Sequence, residues 1–433
     1  MFPDPWLLTS CVFGLLVALG STSGLINERL WISEPLLCAL LGVALGPVGL
    51  GLLRVHPGGN PASATVLRET ARVTLAIAVI GSAVRLPGPW LRTHWRGLAV
   101  TLGPGMLLMW GAGTLVSGIA LGLPLLSALM VGAAIAPTDP VLSAPLLTGR
   151  LAERAVPENL RNGLTAESGI NDGLAFPFVM LPVLLFNEQT TPAGREWLIH
   201  VVLYEVGGGV LIGIVTGLLA CRVLRWAKTR PDAQPASMLT AVIALALTAL
   251  AGARVMGSDG VLAAFVAGAV LNAGDWQTEA EQRMERFQEA LARFFDLPVM
   301  ILFGAVVPWH AWGAHLWRSI AFALAVLLFR RLPAWLLIAR FIPWCRDFSS
   351  ALFAGWFGPI GAAALFYAML IQDKTGLAAI WPAVSLAVAA SIVVHGATST
   401  PLTWIFGRVQ TGSSSFPVDE AKDNPARDAH GPE

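Results

Sequence analysis

Charge is scarce in this sequence. Only 13% of its 433 residues are Asp, Glu, Lys or Arg, about half the share of ~25% found in soluble domains. That deficit speaks against a soluble globular chain. Cysteine is nearly absent too: Cys11, Cys38, Cys221 and Cys345 are scattered with no Cys-x-x-Cys spacing. Neither a disulfide framework nor a zinc site is indicated. The net charge of +1 gives no hint of a nucleic-acid partner. There is no P-loop, no Gly-x-Ser-x-Gly and no His-Glu-x-x-His, so neither ATP hydrolysis nor intramembrane proteolysis is suggested, and no enzyme activity is expected. The N-terminus, Met1-Phe2-Pro3-Asp4-Pro5-Trp6, lacks the basic region of a cleaved signal peptide, which makes the first apolar run a retained helix.

What is abundant is apolar length. Hydrophobic residues make up 55% of the chain and the mean hydropathy is +0.67. Runs long enough to cross a bilayer recur from end to end, the pattern of an all-α polytopic membrane protein. The 44 glycines and 29 prolines fit that class, because spanning helices tolerate both when neighbours satisfy the freed backbone groups. Segmentation predicts thirteen spans, near 6–26, 31–53, 70–86, 97–121, 124–148, 162–186, 197–221, 236–253, 257–273, 291–309, 314–340, 351–372 and 376–406. The eleventh is interrupted by Arg330, Arg331 and Pro333, and reads as one kinked helix or as a helix plus an interfacial piece. Residues 1–407 form the transmembrane domain, with core helices near 124–186 and 351–406. Residues 274–290 read as an amphipathic connector, and 408–433 as a disordered cytoplasmic tail. Alternate gaps collect 16 basic residues on one side and 7 on the other. By the positive-inside rule this sets the N-terminus outside and the C-terminus in the cytoplasm.

Against this apolar background the sixth span carries Glu167-Ser168-Gly169-Ile170-Asn171-Asp172-Gly173. A charged Asp at the centre of a spanning helix costs roughly 2.5–3.5 kcal/mol on insertion scales, and intramembrane carboxylates usually serve ion or proton movement. Ser168 and Asp172 are four apart and share one helical face; Glu167 and Asn171 share the adjoining one. A hydroxyl and a carboxylate together suit a hard monovalent cation. The alternative for Ser168 and Asn171 is hydrogen bonding between helices. In the fifth span, Pro137 and Pro140 bracket Thr138-Asp139 and break the helix. The carbonyls freed there can face an ion, and Asp139 can cap the second half-helix, or both. The twelfth span has a matching interruption, Phe357-Gly358-Pro359-Ile360-Gly361. A broken helix in each half of the chain is the pointer to an inverted-repeat transporter. Two readings are open for His395, a packed histidine or a proton-sensing group. Arg85 and Asp296 lie near span ends and are expected to snorkel or cap.

Ala136-Pro137-Thr138-Asp139-Pro140-Val141 followed by Glu167 to Gly173 resembles the NhaP-like branch of the monovalent cation:proton antiporter-1 family, over residues 6–407. Phe357 to Gly361, Val394-His395-Gly396 and the thirteen spans add to the likeness. The resemblance implies a homodimeric exchanger of sodium, or lithium or potassium, for protons in the plasma membrane, with no cofactor beyond the transported ions. Asp172 corresponds to the alternately protonated carboxylate, with Asp139, Thr138 and Ser168 as cation ligands. Asn171, Glu167, Pro137, Pro140, Gly358, Pro359 and His395 correspond to supporting positions. Asn171 stands where electrogenic relatives carry a second Asp, which implies electroneutral exchange. Relatives place an arginine, paired with the glutamate, where this chain has Ile360, as in the fungal-type members. Whether Glu167 is protonated or finds another cation stays open. The acid that relatives carry in the third span is not visible between Thr74 and Val84. A potassium/proton antiporter of the same fold is the alternative, and a passive cation channel is the more distant one, since the polar residues cluster at one depth.

Overall fold

Apolar runs with few β-favouring interruptions satisfy their backbone groups internally as helices, and in the computed structural model every regular element among the described residues is helical. The described residues are Gly14, 33–53, 61–187, 192–229, 238–273, 295–345 and 347–411. The expected first span, the connector at 274–290 and residues 412–433 of the tail lie outside them. The helices are α1 (Glu34–Leu45), α2 (Pro61–Arg85), α3 (Gly88–Leu121), α4 (Leu125–Ile135), α5 (Glu158–Asn187), α6 (Ala193–Ala227), α7 (Met238–Val255), α8 (Gly260–Asn272), α9 (Phe295–Ala305), α10 (Leu316–Phe329), α11 (Leu332–Ile338), α12 (Phe348–Trp356), α13 (Ala362–Thr375) and α14 (Ile380–Thr411). Four of them, α3, α5, α6 and α14, and the kinked α10–α11 pair are long and apolar enough to cross a membrane. The chain is an integral membrane protein. Residues 408–411, expected in the tail, continue α14.

Two packing units position the site. In the first, α8 lies against α2, α6 and α7. Gly209, Gly213 and Gly217 of α6 face Asp259 and the carbonyls of Ala263 and Ala267. Glycine at every fourth position lets two helices approach closely where lipid supplies no hydrophobic drive. In the second unit, α4 and α5 pack on each other and on α13, α3 packs on α4 and α10, and α14 lies against α4, α10 and α13.

Three interruptions meet inside this second unit. α4 ends at Ile135, and the chain is non-helical until Ala144. α12 ends at Trp356, and residues 357–361 run extended to α13. Between α10 and α11, Arg330 and Arg331 form a bend, with Pro333 in the first turn of α11. Pro333 cannot donate to the preceding turn, so the eleventh span is a kinked pair. The bend turns both arginines inward, where they are 3% and 2% exposed.

Candidate functional site

The two breaks cross. The Asp139 backbone N–H donates to the carbonyl of Pro359 (2.9 Å), and the Asp139 carboxylate accepts from Val141 (2.8 Å), Leu142 (3.0 Å) and Ala362 (2.9 Å). One buried carboxylate therefore caps the chain leaving the first break and the start of α13. Close approach demands glycine here. A Cβ on Gly361 would run into the Asp139 carboxylate, and one on Gly358 into the Arg331 side chain.

Every break also frees carbonyls that no helix satisfies, and unmade buried hydrogen bonds are costly. The Arg330 guanidinium takes those of Ile135 (2.6 Å), Ala136 (3.0 Å) and Pro137 (3.3 Å), and also that of Gly358. It is thus the cation at the C-terminal, negative ends of the first halves of both broken helices, where a positive charge is favourable. α14 completes the second break. Ile360 donates to Ser391 Oγ (2.7 Å), which lies 3.1 Å from His395 Nδ1, and His395 Nε2 lies 2.9 Å from the Trp356 carbonyl. The tautomer with hydrogen on Nε2 satisfies all of these contacts. Of the two readings of His395, the geometry fits the packed one.

Glu167 has its partner. The Arg331 guanidinium binds it through two parallel bonds, Nη1 to Oε1 at 2.6 Å and Nη2 to Oε2 at 2.7 Å, and Arg331 Nε donates to Ala354 at 3.0 Å. Glu167 is fully buried, so this forked geometry is what makes the pair tolerable away from water. Ile360 contributes no charge. The arginine comes from the bend between α10 and α11, not from the second break.

Thr138, Ser168 and Asn171 come together between the first break and α5. Thr138 Oγ1 donates to Ser168 Oγ (3.1 Å), Asn171 Nδ2 donates to Thr138 Oγ1 (2.9 Å), and the Thr138 N–H donates to Asn171 Oδ1 (3.2 Å). Asn171 thereby fixes the rotamer of Thr138. Pro137 and Pro140 flank this contact, and Pro359 accepts from Asp139.

Asp172 is different from all of them. It is fully buried, and neither carboxylate oxygen has a hydrogen-bond partner among the described residues. It lies within electrostatic reach of Asp139. Its backbone carbonyl is held by the Tyr367 hydroxyl at 2.5 Å. A bare carboxylate cannot persist without water or a counter-charge, so Asp172 must carry either a proton or a cation. Asp296 shares that condition. It is fully buried with both oxygens unpartnered among the described residues, and so neither snorkels nor caps there as its position near a span end suggested.

Two cavities approach from opposite ends. α13 runs away from the second break and α14 returns past it, which puts Leu370 and Ser399 on opposite sides. A cavity of about 240 Å³ reaches Tyr367 and is lined by Arg72, Arg254, Asp259 and Leu370. Glu69 pairs with Arg72 (2.7 Å) and Arg254 (2.9 Å) at that end. The other cavity, about 40 Å³, is lined by Glu34, Val141, Leu142, Leu297, His395 and Ser399.

Sequence reasoning missed Arg330, Arg331, Tyr367 and the burial of Asp296. A usable signal existed for the arginines: two adjacent charges inside an apolar run are functional candidates by default. Tyr367 carried none, because a lone tyrosine in a span reads as packing.

Comparison with known proteins agrees with the geometry. Residues 14–405 match the family model described as sodium/hydrogen exchanger, transmembrane. A probable Na+/H+ antiporter of Schizosaccharomyces pombe is 30% identical over 421 residues, covering 90% of this chain and 55% of the relative. The Na+/H+ antiporter of Saccharomyces cerevisiae is 30% identical over 414 residues, covering 87% and 41%. Another Na+/H+ antiporter of S. pombe is 30% identical over 407 residues, covering 86% and 85%. The chain thus spans about half the length of the first two of these relatives. Among solved structures, the sodium proton antiporter MjNhaP1 of Methanocaldococcus jannaschii superposes with a TM-score of 0.65 at 20% identity, covering 94% of this chain and 97% of that one. This likeness shows the fold.

Proposed function

Because the chain belongs to the sodium/hydrogen exchanger family, we propose that it exchanges sodium for protons across the membrane through competition of the two ions at Asp172. The observation that carries the reading is the Asp172 carboxylate, buried with both oxygens unpartnered among the described residues, one helical turn from Ser168, whose hydroxyl is joined to that of Thr138. A proton or a cation neutralises it, and holding one expels the other. No ATP is needed, since the gradient of either ion drives the other. Thr138 and Ser168 supply neutral oxygen ligands and Asn171 holds Thr138 in place. Asp139 spends its carboxylate on capping both breaks and reaches the cation as a longer-range charge. Arg330, Arg331, Ser391 and His395 keep the crossing intact while the unit they tie together, α4, α5 and α12 to α14 with the α10–α11 bend, moves against the rest, the alternating-access scheme of such folds.

Named relatives support sodium over potassium as the cargo. The excess of basic residues on one set of loops supports a cytoplasmic C-terminus, and the family resemblance supports a homodimer in the plasma membrane. Asn171 leaves α5 with one exchanging carboxylate, so the cycle is electroneutral, one cation for one proton. In proteoliposomes loaded with a pH dye, a sodium jump moves protons at a rate independent of membrane potential. A rate that climbs steeply with voltage would refute the stoichiometry, and proton movement driven equally by potassium would refute the cargo.

His395 gives a further expected outcome. His395→Ala leaves the Trp356 carbonyl without its donor, at a cost of about 1–3 kcal/mol. The variant melts lower in detergent, yet the midpoint of its pH–activity profile stays where the wild type has it. A shifted midpoint would make His395 a sensor.

A further inference from the structure

Asp296 is the buried carboxylate that the exchange at Asp172 does not use. It sits in the first turns of α9, which is tied to α2 where Thr74 Oγ1 donates to the Phe295 carbonyl (2.9 Å). It is 0% exposed, and among the described residues neither oxygen has a hydrogen-bond partner and no basic side chain pairs with it. An acid kept so far from water without a partner is costly, and in spanning segments such residues mark ion or proton pathways.

Its titratable neighbours come from three elements. Cys38 of α1 is within electrostatic reach of both Asp296 and Glu34. Asp139 and Asp172 are also each within electrostatic reach of Asp296. Glu34 is one turn before Cys38 on α1 and lines the smaller cavity together with Leu297, the residue after Asp296. The titratable groups facing Asp296 are therefore Cys38 from α1, Asp139 from the first break and Asp172 from α5. From α2, the neutral Thr74 reaches the neighbouring Phe295 carbonyl. Asp296 thus adjoins Leu297 at the cavity wall and interacts with Asp172 at the ion site.

We propose that Asp296 is a second cation- and proton-exchanging carboxylate, a way-station between the cavity at Glu34 and Leu297 and the ion site at Asp172. The inference rests on the exchange reading above. A sodium ion entering from the cavity meets protonated Asp296; its O–H bond breaks and the proton leaves by the cavity. As the ion moves on to Asp172, the proton displaced there re-forms the O–H bond of Asp296. One cation has entered, one proton has left, and Asp296 ends the step as it began. The stoichiometry set at Asp172 is unchanged. What Asp296 governs is the effective affinity for sodium and the pH range of uptake from the side of the smaller cavity.

The test uses the full-length protein in proteoliposomes, with initial rates taken over a matrix of sodium concentration and pH on the side of that cavity. Asp296→Asn is close to isosteric and can neither release a proton nor take on the negative charge that holds a cation. The expected result is exchange that persists with an apparent KM for sodium raised about tenfold and a displaced pH profile, and Asp296→Glu recovers most of the wild-type behaviour. An Asn variant with wild-type KM and pH profile would overturn the proposal. Should the Asn variant fail to fold, sodium-induced infrared difference spectra of the wild type and the Glu variant carry the test. A carboxylic-acid band that sodium bleaches and that shifts in the Glu variant supports the way-station; a band unchanged between the two proteins overturns it. Asp172→Asn run in parallel separates the two levels. Exchange surviving in that variant would sink the underlying reading. Exchange lost there, with Asp296→Asn indistinguishable from wild type, would sink this inference alone.

Discussion

Asp172→Asn leaves no saturable sodium-driven proton movement above protein-free liposomes, while the purified protein stays monodisperse and melts no lower than wild type. The two halves of this expectation come from one observation. Both carboxylate oxygens of Asp172 are buried without a hydrogen-bond partner, so no structural bond is lost with them. An amide of the same shape removes a group that is costly to bury in its charged form, and stability holds or rises. What disappears is the only group on α5 that can release a proton and hold a cation in its place. Asp172→Glu keeps that chemistry but displaces the carboxylate by one methylene, and retains weak exchange. Full exchange in the Asn variant would remove Asp172 from the mechanism.

Cutting the Glu167–Arg331 pair has the opposite profile. Glu167→Ala strands a guanidinium that is 2% exposed, and Arg331→Ala strands a carboxylate that is fully buried. Removing one partner of a buried pair costs about 3–5 kcal/mol, a large fraction of the ~5–15 kcal/mol typical of a folded domain. Both single variants are expected to lose yield and to melt well below wild type. The double variant Glu167→Leu with Arg331→Met leaves no charge uncompensated and recovers much of the loss. Arg331 also donates to Ala354 and stands against Gly358, so recovery is incomplete and the second break loosens. Thermal melts of wild type, Glu167→Leu, Arg331→Met and the double variant close a double-mutant cycle. Additive losses in that cycle would mean that the two residues do not act as a pair.

The helical membrane fold was legible because the apolar runs are long and the charges few, and a missing polar surface is written directly in composition. The Glu167–Asp172 and Thr138–Asp139 stretches stood out for the same reason, as polar residues in an apolar field. Contacts between distant segments were not legible. Arg331 is 164 positions from Glu167, and no local pattern says that a bend at Pro333 will swing it inward. Judged by position within its motif, the expected partner of Glu167 belonged at residue 360. Physically, a guanidinium can reach the same carboxylate from another helix. Asp296 was misjudged because a span end read from hydropathy is uncertain by several residues. A shift of one or two turns separates a capping acid at the surface from an orphan in the core.

The central claim is that cation and proton contend for Asp172, and the dependence of the sodium KM on pH tests it most directly. Sites that exclude one another are linked reciprocally. On the acid limb, where Asp172 is protonated, the apparent KM for sodium rises about tenfold for each unit that pH falls, and the maximal rate at saturating sodium stays constant. A KM that stays flat across that limb while the maximal rate falls would mean that the proton acts elsewhere, and would contradict the account.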